Sequence, residues 1–387
     1  MDGIAVGCDE EQMQRRLLLI QGNSCIDHPE RWKYIYRTGR LTEFRLVERP
    51  RVILIDQGWG YTYFHFLIDS LQKLFQLPNY QELLKDKNTF FIVPKSGFLD
   101  GSIMNRFVPD TFQLLGVSED RLITARENLG LLVRNVRIIV PEWCAESLAT
   151  SIQRMMAYFW KKTAPLRTQN LPTLLIDHRP ESSSFNCDKG QLSYRWILVV
   201  KRGFHRYVRN HKEMMRQLKK RFPCEVFLEF GEKQPASVAA VYFSNAKLVV
   251  APHGAGLSNL VFSEPPQLFS GNKTGTRTRG KAVIEMMVAE RPQLRLFARL
   301  ALTCGFRYYG LMFYKIAHAP LTGFTADIEK LLYTVELALT DIGEAPKVMG
   351  KKLGEVNKDY KWTAPEQYVQ LSGEWCGLKE DGKGMLH

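Results

Sequence analysis

The segment Val249–Phe262, VVAPHGAGLSNLVF, sets a β-branched run against a glycine turn, and the turn against an amphipathic stretch. In an open α/β sheet, ligands settle beyond the carboxyl ends of the strands, where the N–H groups opening the next helix point at an anion. His253 stands at such a strand end. Gly254 and Gly256, with Ala255 between them, permit positive φ and close backbone approach. After Leu257, Ser258 and Asn259 fall in the first helical turn, where unpaired N–H groups and short polar side chains gather. The turn Gly254–Asn259 is therefore a phosphate cradle by type and spacing, with His253 bonding the ligand. The alternative for His253 is a neutral imidazole that holds the turn together. Helix-end electrostatics contribute only about 0.3–1 kcal/mol to an exposed anion, so useful affinity also needs an arginine.

Competing glycine motifs fail on counting. A dinucleotide fingerprint needs a third Gly three positions after a Gly-x-Gly pair, and Tyr63, Asn259 and His387 stand there instead. GTRTRGKA at 275–282 nearly matches a P-loop, but Ala282 replaces the Mg²⁺-binding hydroxyl and the segment precedes a strand. No Gly pair spaced by four encloses a central Ser, so there is no nucleophile elbow. No Asp-x-Asp occurs, which removes a common metal-diphosphate signature.

These residues need elements to position them. At 387 residues the chain exceeds what one hydrophobic core supports, so two domains are expected. Strand-like runs at 51–56, 89–94, 136–142 and 172–177 alternate with helical spacing at 65–77 and 146–162, an α/β first half. A second alternating set follows, with strands at 196–202, 225–230, 247–252, 281–287 and 306–311. Helices are expected at 211–221, 235–243, from Leu257, at 292–303 and at 325–340. Alternation of this length implies parallel pairing in a doubly wound sheet. The loop at 263–281 is longer than most connections, either a functional lid or an insertion.

The 53 Lys+Arg against 40 Asp+Glu give a net charge of +13, which favours anionic partners. No basic block of five occurs and no nucleic-acid-binding motif is present, so nucleic acid is not an expected partner. Seven cysteines, never as Cys-x-x-Cys, argue against metal fingers and a disulfide framework. The only apolar run near the start, LLLI, is too short for a signal core or a membrane span. The expectation is no integral membrane segment and a cytoplasmic location, with the Golgi or ER lumen as the alternative if the chain is trimmed. The Asn272-Lys273-Thr274 sequon would matter only in that second case.

VVKRGFHRYVRN, then FSNAKLVVAPHGAGLSNLVFSEP, then AVIEM, together with the upstream GYTYFHFLIDSLQKL, resemble glycosyltransferase family 61 over roughly residues 50–310. The His-Gly-Ala-Gly-Leu-Ser-Asn segment is the most specific part. The resemblance implies a GT-B fold, two Rossmann-like doubly wound domains facing a cleft. It also implies a UDP-sugar donor, inversion at the anomeric carbon and no required metal or cofactor. Xylose and N-acetylglucosamine are the sugars it favours, passed to a glycan or glycoprotein hydroxyl. The expected domains are 1–190 on the acceptor side and 191–325 for the nucleotide sugar. Residues 326–387 would form a helix and tail packing back on the first domain.

Within that reading, a metal-free diphosphate leaving group needs fixed cations, because negative charge grows on it as the glycosidic bond breaks. Arg202 at a strand end and Arg209 before a helix supply them with bidentate geometry; Arg206 is a weaker candidate. The alternative is surface arginines bonding local carbonyls. Glu285, at a strand end, suits ribose hydroxyls unless it is an ordinary terminal carboxylate. His65 and Asp69, at i and i+4, share one helix face. Either could take the acceptor proton, or the two could be a stabilising pair. Trp59, Tyr61 and Tyr63 could stack on a sugar or fill core, and Asp177 with His178 is a weaker second base. The rival function is a catalytically silent glycan- or nucleotide-binding protein on the same fold.

Overall fold

A computed structural model describes residues 3–7, 17–21, 24–25, 45–55, 60, 62–94, 106–124, 129–133, 136–138, 145–177, 195–203, 205–232, 234–266, 280–288, 294–313 and 323–344. The chain divides into two units, Met1–Glu142 and Trp143–His387. Trp59, Tyr61, His178 and most of the 263–281 loop with its sequon lie outside the described residues, as does the tail beyond residue 344.

The first unit holds two sheets. One is mixed and has no counterpart in the sequence expectations: β1 (Gly3–Gly7), β2 (Leu17–Gln21), β3 (Ser24–Cys25), β4 (Arg45–Arg49) and β8 (Leu129–Val133), in the order β3-β2-β1-β8-β4. The other is parallel, as alternation with helices demands: β5 (Arg51–Leu54), β6 (Thr89–Val93), β7 (Leu122–Thr124) and β9 (Val136–Ile138), in the order β7-β6-β5-β9. Its core is the β-branched and aromatic content of these strands, Val52, Ile53, Phe91 and Ile92, with Phe66, Leu67, Leu71 and Phe112, all essentially buried. Phe112 belongs to α2 (Phe107–Leu114), which follows the short α1 (Tyr80–Lys85).

The expected helix over 65–77 exists but is not α-helical. It is a π-helical turn, His65–Ser70, running into a 3-10 segment, Leu71–Gln76. The N–H of Leu71 reaches back five residues to the carbonyl of Phe66. Seven apolar side chains of this stretch are buried, Phe64 through Phe75, so packing decides the winding in place of local propensity.

The second unit opens with α3 (Ala145–Lys162) and α4 (Ala164–Asp177). The run at 172–177, expected as a strand, is the last part of α4. A short apolar run cannot by itself be told from a buried helix segment. These helices also move the unit boundary from 190 to 142. The Phe159 ring of α3 packs 4.8 Å from Phe262, and Gln153 Nε2 donates to the Thr303 carbonyl at 3.1 Å, both partners deep in the second unit.

Five parallel strands follow: β10 (Trp196–Val200), β11 (Phe227–Phe230), β12 (Ala246–Pro252), β13 (Ala282–Val288) and β14 (Arg307–Phe313). Their spatial order is β11-β10-β12-β13-β14, with every pair parallel. The helices are α5 (His211–Arg221), α6 (Ala236–Ser244), a 3-10 helix Ala255–Phe262, α7 (Leu294–Thr303) and α8 (Ile328–Asp341). Period-2 alternation sorts the two faces. Ile197, Val199, Leu248, Val250, Ile284, Met286, Leu311 and Phe313 form one core with Met214 and Leu218 of α5 and Leu331, Val335, Ala338 and Leu339 of α8. On the opposite face, Trp196 donates from Nε1 to the Tyr242 carbonyl of α6 at 2.8 Å.

The final helix packs into this second core, because its apolar residues recur at helical spacing against β13 and β14. The segment before it pins the 207–210 turn. Val208 and Phe324 form a parallel bridge, and Asn210 bonds both the N–H and the carbonyl of Ala326. Cys224 is disulfide-bonded, a pairing that spacing alone could not reveal, whereas Cys304 is a buried free thiol pushed up to about 12 by burial.

Candidate functional site

In the order β11-β10-β12-β13-β14 the chain runs outward from β10 in both directions, so the sheet's topological switch point lies between β10 and β12. Loops leaving the carboxyl ends of two such strands diverge and open a crevice. Arg202 leaves β10 there and His253 leaves β12. Arg202 Nη1 donates to the His253 carbonyl at 3.1 Å, and its Nε lies 3.3 Å from Glu232 Oε1. Burial pulls the Arg202 guanidinium below its ordinary value, with Glu232 working against that shift.

Gly254 makes this approach possible. Its φ is +149°, and a Cβ built there would lie 1.6 Å from Arg202 Nη1. The guanidinium occupies the place of the missing side chain. Beyond it the 3-10 helix starts at Ala255, earlier than the expected Leu257, and the first bond back is from the Leu257 N–H to the Gly254 carbonyl at 3.0 Å. The N–H groups of Ala255 and Gly256 precede any intrahelical acceptor and are the donors an anion would use.

The rest of the turn faces inward. Leu257 and Ser258 are fully buried, and Ser258 Oγ has no hydrogen-bond partner among the described residues. Asn259, buried too, donates from Nδ2 to the Gly256 carbonyl at 3.0 Å. These three side chains pack inward behind the turn.

His253 is held on three sides. Its N–H donates to the Met286 carbonyl at 2.8 Å, its ring meets Phe297 edge to face at 5.2 Å, and Nδ1 lies 2.5 Å from Glu285 Oε1. The second carboxylate oxygen of Glu285 accepts from the Tyr308 hydroxyl at 2.6 Å. Glu285 is 0% exposed. Both carboxylate oxygens of Glu285 are thus engaged inside the protein, one on His253 and one on Tyr308. Its spacing gave the right position in the strand, but only the neighbouring strand shows what it touches.

Arg209 is exposed; its backbone N–H bonds the Phe324 carbonyl at 2.8 Å, and among the described residues its side chain joins none of these groups. Arg206, given less weight by the sequence, neighbours Arg202 and Glu285. It is half-buried with φ at +60°, unusual for a non-glycine residue. Burial and the neighbouring Arg202 charge pull its guanidinium down, while Glu285 opposes them. Two guanidiniums that disfavour each other's charge in a partly buried crevice are stabilised when an anion arrives.

In the first unit, His65 Nδ1 and Asp69 Oδ2 meet at 2.5 Å on the π-helical turn, both partly exposed. Tyr63 packs edge to face on Phe107 at 5.3 Å, and burial pushes its hydroxyl up, so it serves as core. Asp177 ends α4.

A model of the family described as Glycosyltransferase 61 matches residues 63–269, more than half of the chain. The chain belongs to glycosyltransferase family 61. No curated protein compared with it matches. The matched span contains His65, Asp69, Arg202, Arg206 and the His253–Asn259 turn, while Glu285 and Tyr308 lie beyond it. As a family 61 protein it is a glycosyltransferase, with a sugar donor and a glycan acceptor as substrates. Its α/β architecture of parallel sheets agrees with a GT-B-like enzyme. No helix among the described residues is long and apolar enough to cross a membrane.

Proposed function

We propose that this family 61 enzyme transfers a sugar from a UDP-sugar to a hydroxyl of a glycan or glycoprotein, with inversion and without a metal, xylose or N-acetylglucosamine being the favoured sugar. The observation that carries the reading is the anchoring of Arg202 across the switch point, against a glycine that leaves room for it. Arg202, Arg206 and the leading N–H groups of the 3-10 helix take the diphosphate. Fixed donors of this kind stabilise charge that grows during bond cleavage without reorganising at that moment.

In the reaction, the acceptor oxygen forms a bond to the anomeric carbon as the bond to the diphosphate oxygen breaks. UDP leaves with the bonding pair, and the hydroxyl proton passes to a base. The contact of Asp69 with His65 Nδ1 supports His65 as the base, its Nε2 left for the acceptor, and Asp69 as its orienter. Cys224 in a disulfide favours an oxidising compartment, hence the secretory lumen over the cytosol.

A thermal-shift series with UDP, GDP, UDP-xylose, UDP-N-acetylglucosamine and UDP-glucose tests the donor. A ligand at a hundred times its Kd stabilises by about 2.7 kcal/mol, so the true donor should raise Tm measurably and GDP should not. An equal shift with GDP and UDP, or none with any nucleotide, overturns the reading.

A further inference from the structure

A single polar line crosses the whole second sheet in the spatial order of its strands. Glu232, after β11, pairs with Arg202 Nε at 3.3 Å. Arg202, after β10, donates to the carbonyl of His253, after β12. His253 Nδ1 meets Glu285 of β13 at 2.5 Å, and Glu285 accepts from Tyr308 of β14 at 2.6 Å. Each strand contributes one member, directly or through the loop that follows it, although the five residues span more than a hundred positions in sequence.

We infer that Tyr308 is a positioning residue for the anion site, acting through Glu285 and His253 on Arg202. This rests on the donor-site reading above and adds a residue outside the span matched by the family model. A buried carboxylate bonded on one oxygen alone can rotate about its terminal torsion. The Tyr308 hydroxyl removes that freedom by bonding Oε2, so Oε1 stays on His253 Nδ1. A fixed imidazole fixes the backbone at 253, whose N–H is tied to Met286 and whose carbonyl is the acceptor that aims Arg202. The device is one of orientation: Tyr308 lies three strands away from Arg202, with β12 and β13 between them, and reaches the anion site through this line. Buried polar networks couple their members more strongly than isolated pairs.

The experiment is a double-mutant cycle on the full chain, with UDP affinity measured by titration calorimetry for the wild type, Tyr308→Phe, His253→Ala and the double variant. Tyr308→Phe keeps the ring and should leave Tm within a few degrees while weakening UDP about three- to tenfold. In the His253→Ala background the same substitution should have no further effect, because the line is already cut. A purely structural tyrosine would give the same loss in both backgrounds, and that result, or unchanged UDP affinity in Tyr308→Phe, overturns the inference. Nitrogen NMR of the His253 ring supplies a readout that needs no nucleotide. The proton should sit on Nδ1 in the wild type and be shared between tautomers in Tyr308→Phe. A wild type that fails to bind UDP yet shows this change retires the donor reading alone; without UDP binding, an unchanged ring retires the role of Tyr308.

Discussion

Arg202 and Gly254 compete for one space: the Nη1 of the arginine lies 1.6 Å from where a Cβ at 254 would stand. The glycine is thus required twice, by its φ of +149° and by the guanidinium lodged against it. Gly254→Ala should displace Arg202 and weaken UDP binding by tenfold or more, with a loss of about 1–3 kcal/mol in stability from the strained backbone. Titration calorimetry and urea unfolding read the two effects. A variant that binds UDP normally would show that Arg202 does not hold the nucleotide.

Glu285 is fully buried and accepts from two donors, so removing it differs from neutralising it. Glu285→Ala strands His253 Nδ1 and the Tyr308 hydroxyl and should cost about 1–3 kcal/mol for each buried group left unpaired. Glu285→Gln keeps one acceptor for His253 and should cost less. Chemical unfolding of the pair checks the order, and equal losses would count against the hydrogen bonding described.

His65 and Asp69 answer to kinetics instead of stability, since both are partly exposed. Replacement of His65 by Ala should lower kcat by about 10²–10⁴ while UDP affinity stays unchanged. Asp69→Asn should also lower kcat, by releasing the wrong tautomer. Steady-state UDP release in the presence of acceptor is the measurement; undiminished turnover in the His65 variant would remove the pair from the chemistry.

Lys281 gives a pH dependence with a definite sign. Its ammonium lodges among the carbonyls of Glu264 and Cys304 and over the Phe306 ring, and burial pushes it down from 10.5 to about 8. Between those values the unfolded chain keeps a proton that the folded chain has released. The contribution of Lys281 to stability therefore rises with pH across this window and is least favourable below it. Cys304 runs the other way, since burial lets the folded chain hold its thiol proton from 9 up to about 12. Comparison with Lys281→Met isolates the lysine: the Tm of the wild type should gain on that of the variant as pH rises from about 7 to about 10. A gap that narrows over that range contradicts the burial of the ammonium.

The sequence alone determined the parallel second sheet, because β-branched runs alternating with helices of fixed length admit few other arrangements. It also placed Arg202 and the His253–Gly254 turn at strand ends, since glycine and strand termini are local signals. It could not tell a strand from the end of a helix at 172–177, nor an α-helix from a π-turn at 65–70, where the packing of Phe66, Leu67 and Ile68 outweighs local preference. Contacts between distant segments were decided by tertiary structure. Glu285 meets His253 on one oxygen and Tyr308 on the other because β14 lies beside β13. Arg206 takes a positive φ that spacing does not encode. Which atoms meet across neighbouring strands is a matter of register and side-chain direction, and these exist only once the sheet has formed.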